Sequence, residues 1–229
     1  MENEMLEGGT TVNDGRLDSR GKMAINLGHI GRRNETVSQN EPNLLNLNKN
    51  DILDLTKKNP GLKQVVLGAG WDVATNGQDF DLDIAAFLLN SQNKVENIPQ
   101  DVIFFNNMAG QGILLEGDNR TGFGEGDDER IQIDLTQIES YVQKILFIVT
   151  IHEAHLKRQT FGMVENPYIR LLDVEHQEKE ICRFNLRENG STATSVIFAE
   201  LYRQGSEWQF KALGEGKIAD LNGLLRLYI

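Results

Sequence analysis

Asp79-Phe80-Asp81-Leu82-Asp83-Ile84 alternates acidic and apolar residues with a period of two. On an extended chain this sends the three carboxylates to one face and Phe80, Leu82 and Ile84 to the other. The segment therefore reads as a strand with one core face and one charged face, continuing over 80–89. From residue 44 onward the texture is similar: short apolar runs separated by Gly, Asn and Asp turns, the spacing of an all-β domain. Further candidate strands are 63–68, 101–105, 130–135, 144–152, 168–174, 179–186, 193–203 and 208–213. So many short strands imply two packed sheets, and the expected fold class is all-β, a two-sheet β-sandwich with one or two short helices. One helix is expected over 136–143, where Thr136-Gln137-Ile138-Glu139 matches a capping box. A second, shorter one is expected over 218–226.

Residues 1–43 differ in composition. They hold no Phe, Trp or Tyr and are rich in Asn, Gly, Glu, Asp and Arg, which leaves too little apolar surface to offset chain entropy. The expected organisation is a flexible polar N-terminal tail, 1–43, followed by one sandwich domain, 44–229. That length buries a core without disulfide or metal staples. The single cysteine, Cys182, cannot pair within the chain, which fits a reducing compartment. The first residues, Met1-Glu2-Asn3-Glu4-Met5-Leu6-Glu7, are acidic where a signal peptide would be basic and then apolar. A cytoplasmic location is expected. Stable membrane insertion is not, because no run approaches the roughly 18 apolar residues of a span.

Charge narrows the class of partner. Against 34 Asp and Glu stand 23 Lys and Arg, a net charge of -11. Such a surface repels nucleic-acid phosphate, so no nucleic acid is expected and a cation is the natural partner. The acids are also concentrated. Residues 117–129 read Gly117-Asp118-Asn119-Arg120-Thr121-Gly122-Phe123-Gly124-Glu125-Gly126-Asp127-Asp128-Glu129, four glycines and five carboxylates in thirteen residues. Glycine permits the backbone turns that aim carbonyls inward, and Asp and Asn add side-chain oxygens. Ca²⁺ accepts about 6–8 such oxygens in a flexible arrangement, whereas Mg²⁺ holds to a stricter octahedron. Left alone, two carboxylates about 5 Å apart at an effective dielectric near 20 repel by roughly 3 kcal/mol.

The bland alternative is a solvated acidic face, partly neutralised by Arg120 and Arg130. The spacing excludes an EF-hand: Asp79, Asp81 and Asp83 copy its first three ligands, but Ile84 stands where that loop needs Gly and Asn90 where it needs Glu. Further oxygen donors are Asp72, after Trp71, and the pair Asn106-Asn107, which is equally an ordinary turn signal.

The strings Gly70-Trp71-Asp72, Phe80-Asp81-Leu82-Asp83, Phe105-Asn106-Asn107, Gly117-Asp118-Asn119-Arg120-Thr121-Gly122, Gly124-Glu125-Gly126-Asp127-Asp128-Glu129, Val149-Thr150-Ile151-His152-Glu153-Ala154, Gln159-Thr160-Phe161-Gly162 and Glu200-Leu201-Tyr202-Arg203 stand in an order and spacing that resembles the tellurium-resistance TerD family of stress proteins. The resemblance runs from about Asn46 to the C-terminus. It implies a β-sandwich, Ca²⁺ binding, a role in bacterial stress resistance that includes tellurite, and no enzymatic activity. Residue by residue it implies metal ligands at Asp72, Asp81, Asp83, Asn106, Asn107, Asp118, Asn119, Asp127, Asp128 and Glu129. The expected partners are calcium ions and other stress-response proteins. Family members tend to begin near a segment that Met23-Ala24-Ile25-Asn26-Leu27 resembles; here residues 1–22 precede it and a polar insertion, roughly 28–45, follows.

Enzyme readings are weaker. Glycosidase chemistry needs two carboxylates in separate roles and usually aromatic platforms, and the chain has only two Trp and four Tyr. His152-Glu153-Ala154-His155 is one residue short of the zinc-protease spacing, so the histidines read as satisfied structural residues. Gly122, Gly124 and Gly126 lack the Gly-Lys-Ser/Thr of a phosphate loop. A bound cation reverses the local field, however, so the alternative kept beside calcium binding is a metal-dependent module for a nucleotide or other phosphate ligand.

Overall fold

The computed structural model describes residues 45–72, 80–116, 126–186 and 192–229. The expected tail lies outside them, as do Asp79, Asp118 and Asn119. The strands are β1 (Leu45–Asn46), β2 (Ile52–Asp54), β3 (Gln64–Asp72), β4 (Leu82–Leu89), β5 (Val102–Ile103), β6 (Ala109–Gly110), β7 (Ile113–Glu116), β8 (Glu129–Asp134), β9 (Lys144–Ile151), β10 (Glu165–Asp173), β11 (Lys179–Asn185), β12 (Ser195–Gln204) and β13 (Glu207–Lys217). Three short helices are α1 (Leu55–Lys58), α2 (Ala154–Lys157) and α3 (Leu221–Leu225).

The strands form a seven-stranded sheet, β1-β11-β10-β3-β8-β7-β6, and a six-stranded sheet, β2-β13-β12-β9-β4-β5. All neighbours are antiparallel except β1 and β11. The expected two-sheet sandwich is thus present. Alternation builds the core: Val65, Leu67, Ala69 and Trp71 of β3 and Ile131 and Ile133 of β8 face Leu82, Ile84, Ala86 and Leu88 of β4 and Ile145, Phe147 and Val149 of β9.

β4 departs from the one-core-face reading. Every residue from Leu82 to Leu89 is buried. Ala85, Phe87 and Leu89, on the same face as Asp83, join a second apolar cluster with Val95, Leu146, Ile148 and Leu224, packed by Tyr228 and the other C-terminal residues. The charged face expected from Asp79-Asp81-Asp83 therefore ends at Asp83, where the C-terminal segment takes over the covering.

The helix expected over 136–143 is absent; those residues form turns. Two competitors explain it. The Thr136 amide and hydroxyl both donate to Asp134 Oδ1, at 2.9 and 2.5 Å, so the capping hydroxyl closes a turn on the residue two places earlier instead. Arg203 donates to the Ile138 carbonyl at 2.9 Å, an acceptor a helix would have used internally, and to the Val142 carbonyl at 3.0 Å, while stacking over Trp208 at 4.3 Å. The second expected helix is present as α3, with Asp220 capping the Gly223 amide at 2.7 Å.

Candidate metal centre at one end of the sandwich

The predicted acids of the described residues lie where four inner strands end. β3 finishes at Asp72, β8 begins at Glu129, β4 begins at Leu82 just after Asp81, and β9 finishes at Ile151. Antiparallel pairing of β3 with β8 and of β4 with β9 puts these termini side by side in each sheet, and a hydrogen bond joins the sheets there.

Asp127, Asp128 and Glu129 read as one cluster in the sequence, but the fold sends them to three places. Glu129 faces inward with Ile131 and Ile133, only 2 % exposed, and its Oε2 accepts from the Ile84 amide at 2.6 Å. That amide points to the β5 side of β4, as the Leu88 amide does when it donates to Asp101 O, but β5 pairs only with Ala86 and Phe87. The carboxylate takes the place of the missing strand and ties the two sheets together. Asp128 continues the β3–β8 ladder, its amide donating to Ala69 O at 2.8 Å and its Oδ2 accepting from the Trp71 amide at 2.9 Å. Asp127 turns to the outer face of the seven-stranded sheet. There Arg170 holds it at 2.7 and 3.1 Å and Arg130 lies 3.6 Å away.

Asp72 sits exposed at the end of β3 and accepts from Asn166 at 2.6 Å. Asp81 is half-buried, its carbonyl accepting from the His152 amide at 2.7 Å, and Asp83 is buried with its Oδ2 3.4 Å from His152 Nδ1. His152 also meets Phe105 edge-on, ring centroids 6.1 Å apart. His155 stands exposed on α2, which corrects its reading as a satisfied structural histidine. Asn107 serves a turn: it exchanges backbone hydrogen bonds with Phe104, and its amide donates to Pro99 O and Val102 O, both at 2.8 Å. Its neighbour Asn106 is exposed.

Burial pushes the Asp128 carboxyl above its usual range against the Trp71 hydrogen bond, and the charges of Asp127 and Asp72 push the same way. Burial and like charge thus both disfavour its ionised form. The donors are hard oxygens with one imidazole beside them, a set that suits Ca²⁺ or Mg²⁺ better than a thiol-seeking metal. Among the described residues, no three His, Cys, Asp or Glu side chains gather closely enough to hold an ion by themselves. The donors therefore fit a hard cation in kind.

Sequence reasoning missed Arg170 and Tyr168, because only strand register brings them beside Asp127: Arg170 and Tyr168 of β10 pair with Gly68 and Gly70 of β3. The signal available was the Gly-x-Gly spacing inside a strand, which marks close approach on one face. Asp101 opens the strand expected over 101–105. It is instead a fully buried carboxylate accepting from the Asn97 amide at 2.8 Å, Tyr141 Oη at 2.6 Å and Gln111 Nε2 at 3.0 Å.

The fold and site together define a two-sheet β-sandwich with an acid-rich end. The model of the TerD domain family matches residues 44–228, and the chain belongs to that family of tellurium-resistance and stress-response proteins. It is 44 % identical over 187 residues to a tellurium resistance protein TerD of Serratia marcescens, covering 80 % of this chain and 96 % of that protein. It is 43 % identical over 176 residues to general stress protein 16U of Bacillus subtilis (strain 168), covering 75 % of this chain and 90 % of that one. A solved homologue of telluride resistance protein from Streptomyces coelicolor A3(2) superposes with a TM-score of 0.60 at 22 % identity, over 71 % of this chain and 94 % of that structure, a likeness of fold.

Proposed function

We propose that the protein is a non-catalytic, calcium-binding stress-response protein acting in the cytoplasm, and that the ion binds at the acidic end of the sandwich. Asp72, Asp81, Asp83, Asp128 and Glu129 supply one wall of the site, with Asp118 and Asn119 of the β7–β8 connection as further ligands. The observation that carries the reading is Asp128: a carboxyl whose ionised form is disfavoured by burial and by two neighbouring acids, yet held in place by the Trp71 amide. Such a group is preorganised for a cation, whose charge converts the repulsion into attraction. Calcium suits it because the adjoining sequence is rich in oxygen donors, and Ca²⁺ tolerates variable ligand number.

Ligands drawn from the ends of β3, β4 and β8 share one end of the sandwich only in the folded chain, so binding adds to folding stability. With free Ca²⁺ at 100 times its dissociation constant, linkage gives about 2.7 kcal/mol. The expected outcome is a melting temperature about 5–10 °C higher in Ca²⁺ than in EDTA for a domain of this size. Equal melting temperatures in Ca²⁺ and EDTA would remove the functional reading and leave a solvated acidic surface.

A further inference from the structure

The outer face of the seven-stranded sheet carries a charged network that the calcium reading does not use, and Asp127 is its centre. Its side chain has no exposed surface although it follows a loop glycine, Gly126, at φ +104°. Room for it exists because β3 presents Gly68 and Gly70 there. A Cβ on Gly68 would lie 2.2 Å from Asp127 Oδ2, and one on Gly70 would lie 2.5 Å from the Tyr168 hydroxyl. Both carboxylate oxygens are engaged by Arg170, Nε to Oδ1 at 2.7 Å and Nη2 to Oδ2 at 3.1 Å, with Arg130 Nη1 3.6 Å from Oδ2. The Tyr168 hydroxyl donates to Gly126 O at 2.9 Å and lies 3.3 Å from Asp127 Oδ1.

The arginines are themselves held. Glu180 lies 3.3 Å from Arg170 Nη1 and is gripped by Arg183 at 2.9 and 3.0 Å. Arg130 is flanked by Glu116 at 3.0 Å and Glu178 at 2.5 Å.

We infer that Asp127 is a positioning residue for the calcium site and not one of its ligands. The inference rests on the calcium reading above. A carboxylate with two-point guanidinium contact, buried on a glycine floor, gives its oxygens to arginine. What it supplies is the path of the chain: with residue 127 pinned to the outer face, the next amide meets Ala69 O and the Asp128 carboxylate meets the Trp71 amide. Glu129, one residue on, is delivered to the space between the sheets. The clamp thus fixes the aim of Asp128 and Glu129 from behind, as outer partners do for metal ligands.

The sign of one substitution separates positioning from ligation. Arg170→Gln removes a positive charge from the neighbourhood, so if Asp127 were a ligand screened by Arg170, calcium would bind more tightly. Positioning requires the opposite. Calcium titration by calorimetry on the chelated full-length chain, well below the melting temperature, should show Arg170→Gln and Asp127→Asn each weakening the dissociation constant about tenfold or more. The double variant should be no weaker than either single one, because both break the same clamp. Arg170→Lys should recover part of the loss. Gly68→Ala, which leaves every charge in place and displaces the Asp127 carboxylate sterically, should weaken binding in the same direction and serves if an arginine variant does not fold. Calcium binding by Arg170→Gln or by Gly68→Ala as tight as the parent's, or tighter, overturns the inference while leaving the calcium reading standing. A parent chain that takes up no calcium overturns both.

Discussion

Asp128→Asn should act in opposite directions with and without calcium. Asparagine keeps the shape and an oxygen for the Trp71 amide, which Asp128 Oδ2 accepts at 2.9 Å, so the hydrogen bond survives. What is lost is one negative charge beside Asp127 and Asp72. Two bare charges about 5 Å apart at an effective dielectric near 20 interact by roughly 3 kcal/mol. Asp127 is neutralised by Arg170 and Asp72 lies exposed, so screening reduces the relief to about 0.5–1 kcal/mol. In EDTA the variant should therefore melt about 1–4 °C above the parent. In calcium the order should reverse. If loss of the charged oxygen weakens the ion about tenfold, a concentration 100 times the parent's dissociation constant leaves about 1.4 kcal/mol of stabilisation in place of about 2.7. Differential scanning calorimetry in the two buffers measures both effects. An Asp128→Asn variant that melts below the parent by the same margin in EDTA and in calcium would refute the reasoning, because the carboxylate would then be only a structural acceptor.

Four further outcomes follow from the same structure. Burial, helped by the charge of Glu180 and opposed by the Leu171 amide, pushes the Cys182 thiol from 9.0 up to about 12, so thiol reagents at neutral pH should react only after unfolding; fast labelling of the native chain would contradict this. Because the folded state keeps that proton while the unfolded chain loses it, the Cys182 contribution to stability should fall as pH rises between about 9 and 12, and Cys182→Ala should flatten that part of a urea-midpoint profile. Glu129→Ala strands the Ile84 amide between the sheets at about 1–3 kcal/mol, whereas Glu129→Gln retains an acceptor; equal urea midpoints for the two would contradict the inter-sheet tie. Asp101→Ala leaves the Tyr141, Gln111 and Asn97 donors without their buried acceptor and should cost about 2–4 kcal/mol by urea titration, while a loss under about 0.5 kcal/mol would show that the loop re-pairs them.

Period-two alternation at 80–84 and the turn residues between apolar runs were enough to place the long strands and the two-sheet class, because both are local signals. Very short strands such as β1, β6 and β7 were missed, since two to four residues carry too little periodicity. The helix expected over 136–143 failed for a non-local reason. Its capping hydroxyl and the Ile138 carbonyl are taken by Asp134 and Arg203, and the second of these lies on a distant strand. The second core on the outer face of β4 was hidden likewise, because α3 and Tyr228 that cover it come from the far end of the chain.

At the site, sequence identified which acids share an end of the fold but not how they divide. Asp127 reads like Asp128 until register places Gly68 and Arg170 beside it. Asn107 carries the same oxygen chemistry as a ligand, and only its contacts with Pro99 and Val102 show the turn it closes.

The central claim is that the acidic end holds calcium. Among the described residues, no helix is long and apolar enough to cross a membrane. Calorimetric titration of the chelated chain with Ca²⁺, Mg²⁺ and Zn²⁺ measures identity, affinity and stoichiometry together. The expected result is saturable Ca²⁺ binding, weaker Mg²⁺ binding because its octahedron is stricter, and a Zn²⁺ response that does not compete with Ca²⁺. A flat Ca²⁺ isotherm, or Zn²⁺ displacing Ca²⁺ stoichiometrically, would contradict it.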